Sequence, residues 1–165
     1  SGHTKRVTEY AVMTARGMGL PREEIERIRN ASLLHDIGKI GIRLEALNKA
    51  ETLSTGEYDA FKEHPRHSKQ ILEPIHFLRD IIPAVEAHHE RWDGKGYPNG
   101  LKGEEIPLGA RIIAVADSFD AMTSDRPYRR ALSRQMAVKE LRENAGSQFD
   151  PSVVDIFIRE LQKRG

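Results

Sequence analysis

Apolar residues recur at helical spacing along almost the whole chain, and no run shows convincing apolar–polar alternation. That pattern confines the chain to an all-α bundle. In "HTKRVTEYAVMTARGMGL", Val7, Tyr10, Ala11, Ala15 and Met18 share one stripe, which stops at Gly17 and Gly19. Pro21, Glu23 and Glu24 open a second helix, with Ile25, Ile28, Ser32, Leu33, Leu34 and Ile37 as its stripe and Gly38 and Gly41 as its end. Ser54 and Glu57 have capping-box spacing. Further helices are predicted over 65–73, 78–91, 110–122, 134–144 and 152–163, and Pro83 kinks the second of these or delays its start. Asp150-Pro151 is a cap followed by a first-turn proline. "LKGEEIPLG" holds at most a short extended piece. Gly and Pro mark loops over 94–103 and 125–131.

The expectation is one domain over 1–165, a bundle of seven to eight helices, with the abrupt start read as that of a fragment of a longer multidomain protein. There are no cysteines, which excludes disulfides, thiolate metal sites and a cysteine nucleophile. A net charge of +1 gives no reason to expect a nucleic-acid polymer as partner. No apolar run approaches the roughly 20 residues of a membrane span, and no signal-peptide pattern opens the chain. A cytoplasmic address is compatible with both.

Seven histidines are many for a chain in which aromatic residues make up 6%. In "LLHDIGK", His35 and Asp36 follow two leucines on a helix nearing its end. An ionised Asp in apolar surroundings needs compensation, which a divalent metal would give and a helix-end hydrogen bond could replace. Lys39 lies over the same helical face, where it suits an incoming phosphate. In "ARIIAVADSFDAM", Asp117 sits beside Ile113 and Ala116 and is expected to be semi-buried, with Asp120 the competing candidate one turn on. His64 stands at a helix junction before Pro65, where a cap or a core hydrogen bond is the alternative. His67 and His76 read as surface. His88 and His89 end an apolar run and precede a glycine-rich loop.

Taken together, His3, His35, Asp36, His64, His88, His89 and Asp117 come from five different helices, each near a helix end or an apolar face. Imidazole and carboxylate suit Mn or Fe. Seven such ligands are too many for one ion but fit two that share a carboxylate, an arrangement used for phosphoester cleavage.

"LLHDIGK", "HHERWDGKGYP" and "RIIAVADSFDAMTSDRPYR" resemble the HD-GYP family, a branch of the HD-domain metal phosphohydrolases, over nearly the whole chain and in the family's order. The resemblance implies an all-helical fold and a phosphodiesterase that converts cyclic di-GMP to the linear dinucleotide, and further to GMP, with a metal-bridging hydroxide as nucleophile. It implies two divalent ions, Fe or Mn. His3, His35 and Asp117 are assigned mainly to one, and His64, His88 and His89 mainly to the other. Asp36 is the bridge. It makes Lys39, Arg126 and Arg129 phosphate contacts and Gly96-Tyr97-Pro98 one substrate-binding wall of the pocket, where Tyr97 either packs under the ligands, the weightier reading, or faces the substrate. Some members hold a third metal with a glutamate one turn before the first histidine. That position lies before Ser1, so two ions are expected. Where the family usually has glycine four residues after the isolated histidine, this chain has Ser68. The partners implied are cyclic di-GMP, an upstream sensor or receiver domain and a second copy in a homodimer. The rival readings are a non-catalytic binding or interaction module, a phosphohydrolase with another nucleotide as substrate, and a purely structural bundle.

Overall fold

The computed structural model describes residues 2–37 and 62–165. Among these are seven α-helices and no strand: α1 (Gly2–Gly17), α2 (Arg22–Leu34), α3 (His64–Leu72), α4 (Ile82–Ala87), α5 (Leu108–Thr123), α6 (Arg134–Glu143) and α7 (Pro151–Lys163). Two short 3₁₀ turns, His76–Ile81 and Gly103–Glu105, join them. The "LKGEEIPLG" piece contains the second of these turns. Ser54 and Glu57, and Lys39, fall outside the described residues.

The helices meet through the stripes seen in the sequence. Helix α1 packs on α2, α5 and α7, and its Val7, Ala11 and Ala15 are fully buried. They join Ile112, Val115, Ala116, Phe119, Phe157 and Leu161 in the main core. Tyr10, Phe119 and Phe157 meet edge to face, with ring centroids 5.1 to 5.7 Å apart. Phe119 and Phe157, both buried, contribute about 1.5–3 kcal/mol each by leaving water. A smaller cluster of Ala31, Leu72, Ile81, Val85 and Ile113 ties α2, α3 and α4 to α5.

Asp150 caps α7 as its sequence suggests: its side chain accepts from Ser152 N at 2.9 Å, with Pro151 in the first turn. The same carboxylate binds Arg111 of α5 at 2.7 Å. Burial opposes its ionisation, but the Arg111 and Ser152 bonds prevail and hold its pKa below the usual value.

Two helix limits differ from expectation, both next to the histidine motifs. Helix α2 ends at Leu34, before Gly38 and Gly41, and its Leu33 is exposed at 49% rather than part of the buried stripe. Ala31 and Ser32 carry that packing instead. The predicted helix over 78–91 is a 3₁₀ turn followed by α4, which starts beside Pro83 and stops at Ala87. Pro83 therefore delays the helix rather than kinking it. In both places the chain leaves the helix one residue before a histidine, whose ring bonds the carbonyl three residues back.

Candidate metal centre

Those early stops position the rings. At a helix end the last carbonyls lack intrahelical partners. The His35 ring accordingly donates Nδ1–H to Ser32 O at 2.5 Å, and the His88 ring donates Nδ1–H to Val85 O at 2.6 Å. A carbonyl only accepts, so Nδ1 carries the proton in each ring and Nε2 points away from the helix. Both Nε2 atoms are buried, and neither makes a hydrogen bond among the described residues. Buried polar atoms in this condition require an explanation. A ligand supplied from outside the chain would satisfy both; within it, the nearest acceptor to His35 Nε2 is Asp36 Oδ2 at 3.1 Å.

His64 stands at the first residue of α3, almost fully buried, with Pro65 next. Ser68, buried in the place of the family's usual glycine, donates its hydroxyl to His64 O at 3.0 Å, so the extra polar atom is absorbed by the helix. His89 packs on His88 at 4.2 Å and on His64 at 4.8 Å between ring centroids. His3 in the first turn of α1 reaches Asp117 of α5, Nε2 to Oδ1 at 2.9 Å. Asp117 is half-buried beside fully buried Ile113 and Ala116, as its spacing implied. His67 is half-buried rather than on the surface, and His76 is exposed.

Two groups of potential metal-ligating atoms result, each with all its atoms within 4.8 Å of one another: His3, His35 and Asp117 form one, and Asp36, His64, His88 and His89 the other. Asp36 faces both. Its Oδ2 lies 3.1 Å from His35 Nε2, while its Oδ1 lies 3.6 Å from His64 Nε2 and 3.8 Å from His88 Nε2. All seven ligand-type residues are thus assembled from five parts of the chain. Three of those parts follow or begin a helix end.

The electrostatics of the two groups differ. Burial drives the His35 imidazole towards neutrality, but the carboxylates of Asp117 and Asp36 outweigh it and hold its pKa at about 10. Burial likewise resists ionisation of Asp117, yet His3 and His35 pull it well below the carboxylate range. His3 is raised, chiefly by its bond to Asp117. His88 is pushed well down, by burial first and then by the neighbouring His89 and His35. A divalent cation would replace the positive charge that His35 carries between two carboxylates, and would meet a neutral imidazole at His88. The donor set of nitrogen and oxygen, without sulfur, fits such an ion.

The loop after His89 is held rigidly. Glu90, only 4% exposed, accepts from Asn99 N at 2.7 Å and from Leu101 N at 3.0 Å. Trp92 N and Asp93 N donate to Gln148 O and Ser147 O. The Tyr97–Pro98 peptide is cis, and Tyr97 stacks on His89 with ring centroids 5.1 Å apart and planes 18° from parallel. That stack is the packing role expected of Tyr97. A Cβ on Gly96 would stand 2.5 Å from Arg91 N and 2.6 Å from His89 O, so only glycine fits there. Arg126 and Arg129 are exposed in a tight turn after α5, their backbones exchanging hydrogen bonds of 2.9 and 3.2 Å.

Two site features escaped the sequence. Glu90 reads there as one more charge in "HHERWDGKGYP", and nothing marks it as a buried clamp. Asp120 was visible only as a competitor of Asp117. It is 1% exposed and binds His3 and Arg6 instead of joining either group of ligand atoms. The spacing of His3 and Arg6, one helical turn apart on α1, is the signal that could have found it.

A family model described as an HD domain matches residues 1–153, and the chain belongs to that family. It is 42% identical over 161 residues to the cyclic di-GMP phosphodiesterase response regulator RpfG of Xanthomonas campestris pv. campestris (strain 8004), an alignment covering 96% of this chain and 43% of that protein. It is 42% identical over 161 residues to a cyclic di-GMP phosphodiesterase of Thermotoga maritima, covering 95% of this chain and 43% of the relative. The 3'3'-cGAMP-specific phosphodiesterase 3 of Vibrio cholerae is 38% identical over 151 residues, covering 92% of this chain and 33% of that protein. The chain therefore spans less than half the length of these relatives. Among solved structures, the HDG"Y"P protein Bd1817 from Bdellovibrio bacteriovorus superposes with a TM-score of 0.79 at 20% identity, over 98% of this chain and 52% of that one. At that identity the likeness speaks for the fold. No helix among the described residues is long and apolar enough to cross a membrane.

Proposed function

We propose that this domain is a metal-dependent phosphodiesterase that opens a cyclic dinucleotide, cyclic di-GMP, to its linear form. The observation that carries the reading is Asp36, which turns one oxygen to each of two nitrogen-rich ligand groups. The relatives named above, called cyclic di-GMP phosphodiesterases at 42% identity, support the choice of substrate. Two divalent ions, Fe or Mn, held by these groups would supply a water acidified to near neutral pH and charge stabilisation at phosphorus.

The chain's own residues divide the remaining work. Asp36 ties the two groups at one spacing. His35 and His88, locked through Nδ1, present Nε2 without rotating. Asp117 and His3 close the first group; His64 and His89 close the second. Lys39, Arg126 and Arg129 neutralise the phosphoryl oxygens. Gly96, Tyr97 and Pro98 wall the pocket, with Tyr97 bracing His89. Hydrolysis joins a water oxygen to phosphorus and breaks one P–O3′ bond, and the released 3′ oxygen takes up a proton. The linear dinucleotide keeps a 5′ phosphate, and a second, slower cut gives GMP. The same reading carries a cytoplasmic address, an upstream sensor or receiver domain and a homodimer.

A second substrate is favoured by one observation: a relative at 38% identity is named as specific for 3'3'-cGAMP. The test is anaerobic loading of the purified protein with Mn(II) or Fe(II), followed by chromatography of cyclic di-GMP, 3'3'-cGAMP and cyclic di-AMP incubated with it. The linear product from cyclic di-GMP, formed faster than from the other two, is expected. Faster opening of 3'3'-cGAMP selects the second substrate. No product from a metal-loaded protein selects a binding module.

A further inference from the structure

Asp120 is the most deeply buried carboxylate in this region and belongs to neither ligand group. It lies one turn beyond Asp117 on α5. Its Oδ2 is 2.6 Å from His3 Nδ1, and its Oδ1 accepts from Arg6 Nε at 2.6 Å. Arg6 Nη2 reaches Oδ2 at 3.3 Å and Ser124 Oγ at 3.3 Å. The far nitrogen of the same ring, His3 Nε2, is the one directed at Asp117 Oδ1, 2.9 Å away.

We propose that Asp120 is a positioning residue for the first ligand group: through Nδ1 it fixes the tautomer and the plane of His3 so that Nε2 faces Asp117, and Arg6 holds Asp120 in place. The inference rests on the reading of His3 and Asp117 as metal ligands. Its physical ground is a contrast within the site. His35 and His88 are oriented by helix-end carbonyls, three residues back along their own chain. His3 Nδ1 is met instead by a side chain of another helix: α5 supplies the acceptor, Asp120 Oδ2. A carboxylate in that place also makes the imidazole a better donor to a cation. Arg6 has a defined part in this. A carboxylate 1% exposed needs partners at both oxygens, and the guanidinium, on the same face of α1 as His3, bonds each of them.

The test is metal stoichiometry and affinity in the whole protein, measured by titration with Mn(II) and by elemental analysis after dialysis. The wild-type chain is expected to hold two ions. Asp120→Ala is expected to hold the ion of Asp36, His64, His88 and His89 at unchanged affinity and to weaken the other by about 10- to 100-fold. Asp120→Asn, which keeps an acceptor, should fall between the two. The retained second ion reports an intact fold. Long-range ¹H–¹⁵N NMR of the metal-free protein gives a readout apart from metal: His3 should show a downfield, slowly exchanging Nδ1–H in the wild type and lose it in Asp120→Ala. A wild type that binds no ions overturns the metal reading itself. A wild type with two ions and an Asp120→Ala with two ions of unchanged affinity, or with an unchanged His3 Nδ1–H signal, overturns the role of Asp120. Loss of both ions in Asp120→Ala and Asp120→Asn alike also overturns it, because the residue then supports the fold rather than one ring.

Discussion

The two ligand groups are built to different plans. The first, His3, His35 and Asp117, has a carboxylate for each imidazole to pair with, at 2.9 to 3.7 Å within the group, and Asp120 and Asp36 add one more to His3 and His35. The second gathers three imidazoles around one oxygen of Asp36, with rings 4.2 to 5.4 Å apart and no arginine or lysine among its ligand atoms. The first therefore holds together as protons and carboxylates, with His35 charged. The second relies on packing, with His88 kept neutral. Three rings that share one carboxylate depend more on steric constraint, and the chain supplies it with a helix-end hydrogen bond at His88 and the Tyr97 stack on His89. Charge assembles one half of the site and shape the other.

Asp36 is where the two plans meet, so its removal should produce the largest effect. Asp36→Ala is expected to abolish two-ion binding and to lower turnover by more than about 1,000-fold, beyond what loss of a single transition-state donor costs. Elemental analysis alongside the cyclic di-GMP assay checks this, and a variant that kept both ions would dissolve the comparison. Next in size come the separated halves. His88→Ala should empty the second group and spare the first, whereas His3→Ala should do the reverse, each lowering turnover by roughly 100-fold or more as an essential ion is lost. Equal loss of both ions in either variant would mean that the groups act as one.

Gly96→Ala probes the half that depends on shape. The added methyl meets backbone at 2.5 to 2.7 Å, and overpacking of this kind costs about 1–3 kcal/mol. Denaturant titration should show that loss, and the ion of the second group should weaken while that of the first does not. The smallest effect is a control outside both groups. Asp150 has a lowered pKa in the fold, so its contribution is present above the unfolded carboxylate value and is lost as pH falls through the lowered one. Asp150→Ala should cost about 1–2 kcal/mol at neutral pH through the lost helix cap. The difference from wild type should shrink in acid, with or without metal. A metal-dependent difference would tie α7 to the site.

The sequence declared the helices and the seven ligand-type residues because both are carried by residue type and spacing. A stripe such as Val7, Ala11 and Ala15 announces a buried face, and His88-His89 before a glycine-rich loop announces a site. What it concealed depends on partners distant along the chain. Asp120 contacts residues 114 and 117 positions away, and Glu90 clamps a loop through backbone N–H groups that any residue possesses. The helix limits were misjudged for a related reason. Gly38 and Gly41 are strong stop signals, but the carbonyl that ends α2 usefully is taken up by a side chain, and side-chain competition for the last turn has no fixed sequence mark.

The bond from each histidine ring to the carbonyl three residues before it makes α2 and α4 measuring rods. An α-helix advances 1.5 Å and turns about 100° for each residue added. One residue inserted into α2 would carry His35 around the helix axis by that angle while leaving every ligand in the chain. Substitutions along the exposed face of α2 should be tolerated freely, but its length should not vary. In a lineage of such chains, insertions and deletions would be expected to gather in the loops and to be absent between Arg22 and His35.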